Sequence, residues 1–94
     1  MLKKLDPILH SELRLAVMSL LISLTKAEFT YLKEQTNATA GNLSVQITKL
    51  EEVGYITVEK GYKGKVPQTI CTISKKGIDA FEQYVNDLKE YLKM

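Results

Sequence analysis

The order of apolar and polar residues along the chain begins with a pattern that predicts a long helix. Asp6 and Pro7 are typical of a helix start, and the helix is predicted to run from there to about Ser23. Its apolar stripe is broad and consists of Leu13, Ala16, Val17, Leu20, Leu21 and Leu24. A stripe of this width predicts burial on two sides, against its own domain and against something else.

A second, shorter helix is predicted directly after the first. Thr25 and Glu28 have the spacing of a capping box, in which each side chain bonds to the backbone amide of the other. The helix that they begin carries Phe29 and Leu32 inward and ends near Thr36. Its length is about right for the first half of a helix-turn-helix.

The third helix is predicted from Thr39, as its cap, through Val53, and Gly54 is placed to end it. Its apolar positions recur every three or four residues and therefore share one face: Ala40, Leu43, Ile47 and Leu50. Because only residues 37–39 separate the second helix from the third, the two predict a helix-turn-helix.

After Gly54 the apolar period changes from helical to alternating. Residues 55–60 and 68–73 are predicted strands, joined by a glycine-containing loop, residues 61–67, that is too long for a two-residue turn. This predicts a hairpin with an extended basic tip. Ser74 then caps a last helix to about Lys93, whose apolar seam has coiled-coil spacing and consists of Ile78, Phe81, Val85, Leu88 and Leu92.

Composition and charge bound the interpretation. The chain has 94 residues, which predicts a single domain over residues 1–94, and a net charge of +2, which by itself says little about partners. The distribution of charge says more, because residues 60–76 hold five lysines and no acid, whereas residues 78–94 hold four acids and two lysines. A segment of this kind suits contact with a polyanion.

Location is predicted from what the sequence does not contain. Cys71 is the one cysteine, so no intramolecular disulfide can form and a reducing cytoplasm fits best. The first seven residues do not resemble a signal peptide, and the most apolar run, residues 16–24, is far shorter than the roughly 20 residues that cross a bilayer. The expected location is therefore cytoplasmic.

Two stretches resemble the MarR/ArsR-type winged helix-turn-helix regulators. Leu43-Ser44, Leu50-Glu51, Gly54 and Tyr55-Ile56 resemble their recognition helix and first wing strand, and residues 73–77 resemble the Leu-Thr-x-x-Gly that begins their last helix. The likeness covers residues 6–92 and is strongest to short, stand-alone MarR-like proteins. It implies an α+β, mainly helical fold: three helices, a two-stranded wing and a C-terminal helix.

The resemblance implies a binding protein rather than an enzyme. This chain is too short for the extra dimer lobe, with its small-molecule pocket, of larger MarR proteins, and it lacks the clustered ligands of ArsR metal sensors. No cofactor and no metal are therefore predicted, and an effector is left open. A single histidine, His10, and an unassisted Cys71 also leave no catalytic set.

Two groups of residues are predicted to contact double-stranded DNA. The outer face of the third helix and its margins would enter the major groove and hold the backbone, and they comprise Thr39, Gly41, Asn42, Ser44, Val45, Gln46, Thr48 and Lys49. The wing would meet phosphates or a minor groove through Lys60, Tyr62, Lys63 and Lys65.

The excess apolar surface of the first and last helices, residues 7–24 and 75–93, predicts a homodimer. Its interface is predicted to include Leu13, Val17, Leu20, Ile78, Phe81, Val85, Leu88 and Leu92. Two-fold symmetry would present two recognition helices to a palindromic site, and the expected role is that of a transcriptional repressor.

Less specific interpretations stay open at this point. The same fold serves as a protein-protein interaction module without DNA binding, and RNA is a further possible partner. Asn42 can serve only its helix start, Lys49 can be a solvated lysine, and the wing lysines can protect an exposed strand edge. Cys71 is expected to be a buried small residue, with a redox switch as the alternative.

Overall fold

The structure, a computed structural model, describes residues 2–93. Four helices and three strands follow one another in this order: α1 (Glu12–Leu24), β1 (Lys26–Glu28), α2 (Phe29–Thr36), α3 (Ala40–Glu52), β2 (Ile56–Lys63), β3 (Val66–Ile73) and α4 (Lys75–Leu92). The predicted order of helices and hairpin is confirmed, and the molecule is elongated, with extents of 53 × 25 × 21 Å. None of the helices within residues 2–93 has the length and apolar character of a membrane span.

The core is formed where α1, α2 and α3 pack on one face of the sheet. Its buried apolar residues come from the N-terminal segment, all four helices, β2 and β3, and they are Leu9, Val17, Met18, Leu21, Leu32, Leu43, Ile47, Leu50, Ile56, Cys71, Ile73 and Tyr84. The α3 members are three of the residues whose spacing predicted its inner face. That spacing is therefore the reason that the opposite face of α3 points to solvent.

The first helix begins later than predicted, at Glu12 rather than Pro7. Asp6 does act as a cap, but of a short turn: its carboxylate accepts from the Ile8 amide (2.9 Å), and its carbonyl accepts from the His10 amide (2.8 Å). The turn does not continue into α1, because the Ser11 amide bonds to the carbonyl of Leu9 (2.8 Å) instead of entering the helix ladder. Leu9 is thereby buried completely.

The predicted capping box is wrong. Residues 26–28 form the short strand β1, which pairs antiparallel with β3 in the register Lys26↔Thr72 and Glu28↔Ile70. Thr25 ends α1 with a φ of 72°, and the Glu28 carboxylate accepts from Gln68 (2.5 Å) rather than from a helix amide. The Thr25 amide bonds to the carbonyl of Leu21 (2.8 Å), and the Thr25 carbonyl accepts from the Ile73 amide (2.9 Å) at the edge of β3. The sheet therefore has three strands in the order β1-β3-β2.

The predicted long hairpin loop is also wrong, because β2 and β3 continue through it. They pair up to Lys63↔Val66, and a two-residue turn, Gly64-Lys65, connects them. Gly64 has a φ of 64° and occupies the first central position, where a type II′ turn requires such an angle. The basic segment is therefore a regular two-stranded wing rather than an irregular tip.

The predicted caps of α3 and α4 are confirmed. Thr39 Oγ1 accepts from the Asn42 amide (3.1 Å), and Ser74 Oγ accepts from the Gly77 amide (3.0 Å). Ser74 also donates to the carbonyl of Gly54 (2.6 Å), so the start of α4 is attached to the segment that links α3 to the wing.

The inner face of α4 includes residues of the predicted seam and one side chain outside it. Its most buried side chain is Tyr84, which is 4 % exposed and lies within hydrogen-bond distance of His10 Nδ1 (3.0 Å). Of the predicted seam residues, Ile78, Phe81 and Leu88 are partly buried against the core, whereas Val85 is not part of that cluster and Leu92 is 75 % exposed. His10 therefore makes a structural contact with α4.

Candidate nucleic-acid interface

The outer face of α3 presents small and polar side chains to solvent. Gly41, Asn42, Ser44, Thr48 and Lys49 are exposed, and Val45 is 52 % exposed. They are held there because Leu43, Ile47 and Leu50 anchor the opposite face in the core. From Ala40 to Leu50 the helix contains no acidic residue, and Glu51 and Glu52 come only at its end.

Several residues of the predicted set make side-chain hydrogen bonds within the protein. The hydroxyl of Thr39 is used as the helix cap, where it accepts from the Asn42 amide. Gln46 is half-buried; its Oε1 accepts from Arg14 of α1, and its Nε2 donates to Asn42 Oδ1 (3.0 Å). Their side chains thus support the exposed residues beside them.

The predicted wing residues lie on two faces and in the turn. Lys60 and Tyr62 continue the alternation of Ile56 and Val58 along β2, so all four lie on one face of the sheet. Nearer the body of the protein, this face packs on the core. Lys63 points to the opposite face, and Lys65 lies in the turn. All four are exposed, and Tyr62 is 74 % exposed.

Charge at the wing is not neutralised by ion pairs within the described part of the chain. The pairs between side chains there are Lys75–Asp79 (2.7 Å) and Lys93–Glu90 (3.3 Å), both on α4. Lys60, Lys63 and Lys65 have no carboxylate within ion-pair distance among residues 2–93. They are therefore available to an external anion.

The described residues offer no arrangement for metal or thiol chemistry. Among residues 2–93, no three His, Cys, Asp or Glu side chains are grouped so that they would hold a metal. Cys71 is completely buried, and its burial, with a smaller effect of Glu51, raises the pKa of the thiol to about 11. The thiolate that redox chemistry requires is thus disfavoured, and the expected structural role of Cys71 fits its position.

Sequence reasoning missed the part that Arg14 has in this region. Arg14 is the one arginine of the chain, and it connects α3 to the N-terminal segment, since its Nε donates to the carbonyl of Ile8 (2.6 Å). Its position on α1 gave no signal of this, because its partner Gln46 is 32 residues away in sequence.

The glycine of the resemblance motif at residues 73–77 has a packing reason. A Cβ on Gly77 would lie 2.1 Å from the carbonyl oxygen of Tyr55, which is a severe overlap with backbone. The same carbonyl accepts from the Ser74 amide (3.0 Å). The glycine therefore lets the first turn of α4 lie directly against the start of β2, and this contact sets where the wing leaves the body.

A helix-turn-helix followed by a hairpin wing and a closing helix defines a winged-helix protein. The chain belongs to the family of winged helix DNA-binding domains, whose model matches residues 13–92. The predicted resemblance to MarR/ArsR-type regulators and the predicted fold class are both confirmed, with a third strand added to the sheet. The family consists of DNA-binding transcription regulators rather than enzymes. Membership in it therefore supports DNA as a partner of this chain.

Individual relatives cover nearly the whole chain. An uncharacterized protein of Methanocaldococcus jannaschii, MJ0432, is 40% identical over 87 residues, which are 92% of this chain and 94% of that one. A transcriptional regulator homologue from Pyrococcus horikoshii has a solved structure with a TM-score of 0.86 and 28% identity, over 92% of this chain and 85% of that chain.

Two more distant neighbours show the fold alone. An ArsR family transcriptional regulator has a TM-score of 0.61 and 23% identity, over 92% of this chain and 84% of that chain. NadR, solved in complex with 4-hydroxyphenylacetate, has a TM-score of 0.74 and 19% identity, over 93% of this chain and 64% of that chain. NadR is thus considerably longer than the chain described here.

Proposed function

We propose that this protein is a sequence-specific transcriptional regulator that binds a palindromic DNA site as a homodimer and represses transcription. The observation that carries the proposal is the outer face of α3, which is exposed, small, polar and without an acid over its first three turns. Such a face fits a major groove sterically and does not repel phosphates.

Base and backbone contacts divide along α3. Asn42 near the helix start has an amide for a base edge, Val45 has methyl groups for a thymine methyl, and Lys49 suits a guanine edge or a phosphate. Gly41 leaves space for the DNA backbone to approach. Ser44 and Thr48 lie beside them, although the Thr48 hydroxyl donates to the Ser44 carbonyl (3.0 Å) in the free protein.

The wing adds affinity that does not depend on sequence. Lys63 and Lys65 at its end contact phosphates or a neighbouring minor groove, and Lys60 and Tyr62 support them. Each phosphate contact releases counterions, so the logarithm of the binding constant falls with the logarithm of salt concentration by about 0.9 for each contact.

The wing is tested by Lys63→Ala/Lys65→Ala in gel shifts over a salt series. We expect weaker binding to all duplexes and a log–log salt slope shallower by about 2, because two phosphate contacts are lost. Lys93→Ala is the matched control, since it removes a lysine from the far end of α4. An unchanged slope in the double variant would exclude the wing from the interface.

The homodimer is proposed to form through α1 and α4. Ile22 of α1 and Phe81 and Val85 of α4 line a surface groove of about 430 Å³, with Glu82, Asn86 and Lys89 at its edge. Leu13, Leu20, Ile78 and Leu88 are only partly covered by the protomer core, and Leu92 is exposed. Val17 is a correction to the predicted interface, because it is 0% exposed and has no surface to offer.

Sedimentation at tens of micromolar tests the dimer. Val85→Glu is the informative variant, because Val85 lines the groove and is not part of the core cluster, so a new charge there blocks association without disrupting the fold. Val66→Glu on the wing is the matched control. A wild-type monomer at that concentration would remove both the dimer and the reason for a palindrome.

Selection of bound duplexes from a random library tests the proposal as a whole. A dimer with two recognition helices roughly 34 Å apart predicts two inverted half-sites about one helical turn apart. A reporter carrying the selected site between promoter and gene should then lose expression when the protein is present. Failure to enrich any duplex would favour the interaction-module interpretation, in which α3 binds protein.

A further inference from the structure

Three side chains form a chain of hydrogen bonds that ends at the DNA-facing surface of α3; we call it the amide relay. Arg14 Nη1 donates to Gln46 Oε1, and Gln46 Nε2 donates to Asn42 Oδ1 (3.0 Å). At its other end Arg14 Nε donates to the carbonyl of Ile8 (2.6 Å). The relay therefore connects the N-terminal segment to the first turn of α3.

The direction of this relay follows from the chemistry of Arg14. A guanidinium has only donors, so the atom of Gln46 that faces it has to be the oxygen. The Gln46 amide nitrogen is then turned toward Asn42, and a nitrogen that donates there requires Asn42 to present its oxygen. The amide nitrogen of Asn42, with both of its protons, is consequently directed away from the relay.

We infer that Arg14 and Gln46 are positioning residues that make Asn42 a hydrogen-bond donor toward DNA and thereby set the base that α3 selects. The inference rests on the proposed function, in which α3 enters the major groove. In that groove guanine presents two acceptors, adenine N7 and thymine O4 are acceptors, and cytosine N4 is a donor. Asn42 as donor favours an acceptor and rejects cytosine at the contacted base.

A lysine cannot replace Arg14 in this role. The guanidinium bonds to Ile8 and Gln46 through two nitrogens of one rigid plane, which a single ammonium cannot reproduce. No carboxylate lies within ion-pair distance of Arg14 among residues 2–93, so within this part of the chain the guanidinium bonds to neutral oxygens, those of Ile8 and Gln46.

The decisive variant is Gln46→Glu, which leaves the Asn42 side chain chemically intact and changes only the group that orients it. A carboxylate still accepts from Arg14, but its second oxygen is also an acceptor, so Asn42 has to turn its amide nitrogen inward and present its oxygen to DNA. Cytosine, which the wild type rejects, should become accepted at that position, and guanine and thymine, which present acceptors and no amino donor there, should be lost. The added charge by itself weakens binding to all duplexes alike, so a change in base preference reports the turned Asn42 amide rather than the charge.

Arg14→Met is the complementary variant. Without the guanidinium, the Gln46 amide has no fixed orientation, and Asn42 can present either group. Selection should then show a relaxed preference at one base position in each half-site, while the other positions keep theirs. Lys33→Met is the matched control, since it removes a cation from α2 with an exposed side chain.

Side-chain amide NMR of the DNA-free protein tests the relay separately from DNA binding. In the wild type the Gln46 NH₂ should be the bonded amide, and in Gln46→Glu the Asn42 NH₂ should shift downfield and exchange more slowly. A bonded Asn42 NH₂ in the wild type would overturn the inference, whether or not DNA binds. If the amide turns but the selected base does not change, the role in specificity is overturned; if no duplex is bound at all, the proposed function fails with it.

Discussion

The first turns of α3 and α4 have the same local chemistry and opposite surroundings. Each begins with a hydroxyl cap that accepts from an amide three residues later, and each has a glycine within that turn. A Cβ on Gly77 of α4 would overlap the Tyr55 carbonyl at 2.1 Å. A Cβ on Gly41 of α3 would meet no atom of residues 2–93 within 4 Å outside its own helix turn.

The difference distinguishes a packed contact at the start of α4, which we call the joint, from an exposed surface at the start of α3. At α4, Ser74 and Gly77 contact the segment between α3 and β2, so the turn is part of the packing that orients the wing. At α3, the same elements contact only their own helix and leave the glycine in solvent. The space beside Gly41 is not filled by any other part of the protomer within residues 2–93. It is therefore free for a binding partner to occupy.

The largest expected effect is that of Gly77→Ala. Because the new methyl group would overlap a backbone carbonyl, β2 or α4 has to shift, and overpacking of this kind costs about 3 kcal/mol. Urea unfolding followed by circular dichroism measures the loss. A change below about 0.5 kcal/mol, typical of ordinary surface sites, would show that the two elements are not held against each other.

Removal of the α4 cap should cost more stability than removal of the α3 cap. Ser74→Ala removes the bond to the Gly77 amide and leaves the Gly54 carbonyl without its donor, so we expect a loss of about 2 kcal/mol. Thr39→Ala removes only a cap bond on an exposed turn and should cost about 1 kcal/mol or less. Equal losses in urea unfolding would contradict the distinction between joint and open surface.

Gly41→Ala should act with opposite sign on stability and on binding. Alanine is the better helix former by up to about 1 kcal/mol, and its methyl group meets nothing in the protomer. The variant should therefore unfold at higher urea concentration yet bind its selected duplex more weakly, because the methyl group occupies the space of the DNA backbone. Unaltered affinity would move the closest DNA approach away from residue 41.

The smallest effect is a pH dependence at the joint. Burial and the hydrogen bond from the Tyr55 hydroxyl to Asp6 (2.5 Å) raise the pKa of Tyr55 to about 12 from its ordinary value of 10.0. Below pH 10 the phenol is protonated in both states, and as pH rises toward 12 the unfolded chain ionises first, so stability falls.

Unfolding of the wild type and Tyr55→Phe from about pH 9 to about pH 11 measures this contribution. We expect the stability advantage of the wild type over the variant to shrink as pH rises, because only the wild type carries the Tyr55 phenol. Tyr62→Phe, whose side chain is 74 % exposed, is the control for loss of a phenol. A constant difference would mean that Tyr55 titrates alike in both states.

Much of the helical structure and of the candidate site was predictable from short-range patterns. The three- and four-residue spacing of Leu43, Ile47 and Leu50 predicts both the helix and its exposed face, and the structure agrees with both. Thr39 and Ser74 are caps as predicted, because the bonds that define them are three residues long. The DNA contacts and the dimer residues themselves stay predictions.

Features that depend on distant partners were not predictable in this way. Residues 26–28 have the pattern of a helix start and become a strand, because β3 offers them an open edge. The wing is regular through residues 61–63 and 66–67 because its two strands satisfy each other's backbone groups. Tyr84 lies in the core, where its hydroxyl is 3.0 Å from Nδ1 of His10, a residue 74 positions away in the sequence.

The sequence by itself determined the order of the helices, which face of α3 is apolar, and that basic residues gather in the wing, since each of these is set by neighbours within a few positions. Tertiary structure alone decided the third strand, the tight packing at Gly77 and the relay from Arg14 to Asn42. Those features require surfaces and hydrogen-bond partners that come together only when segments far apart in the chain pack against each other.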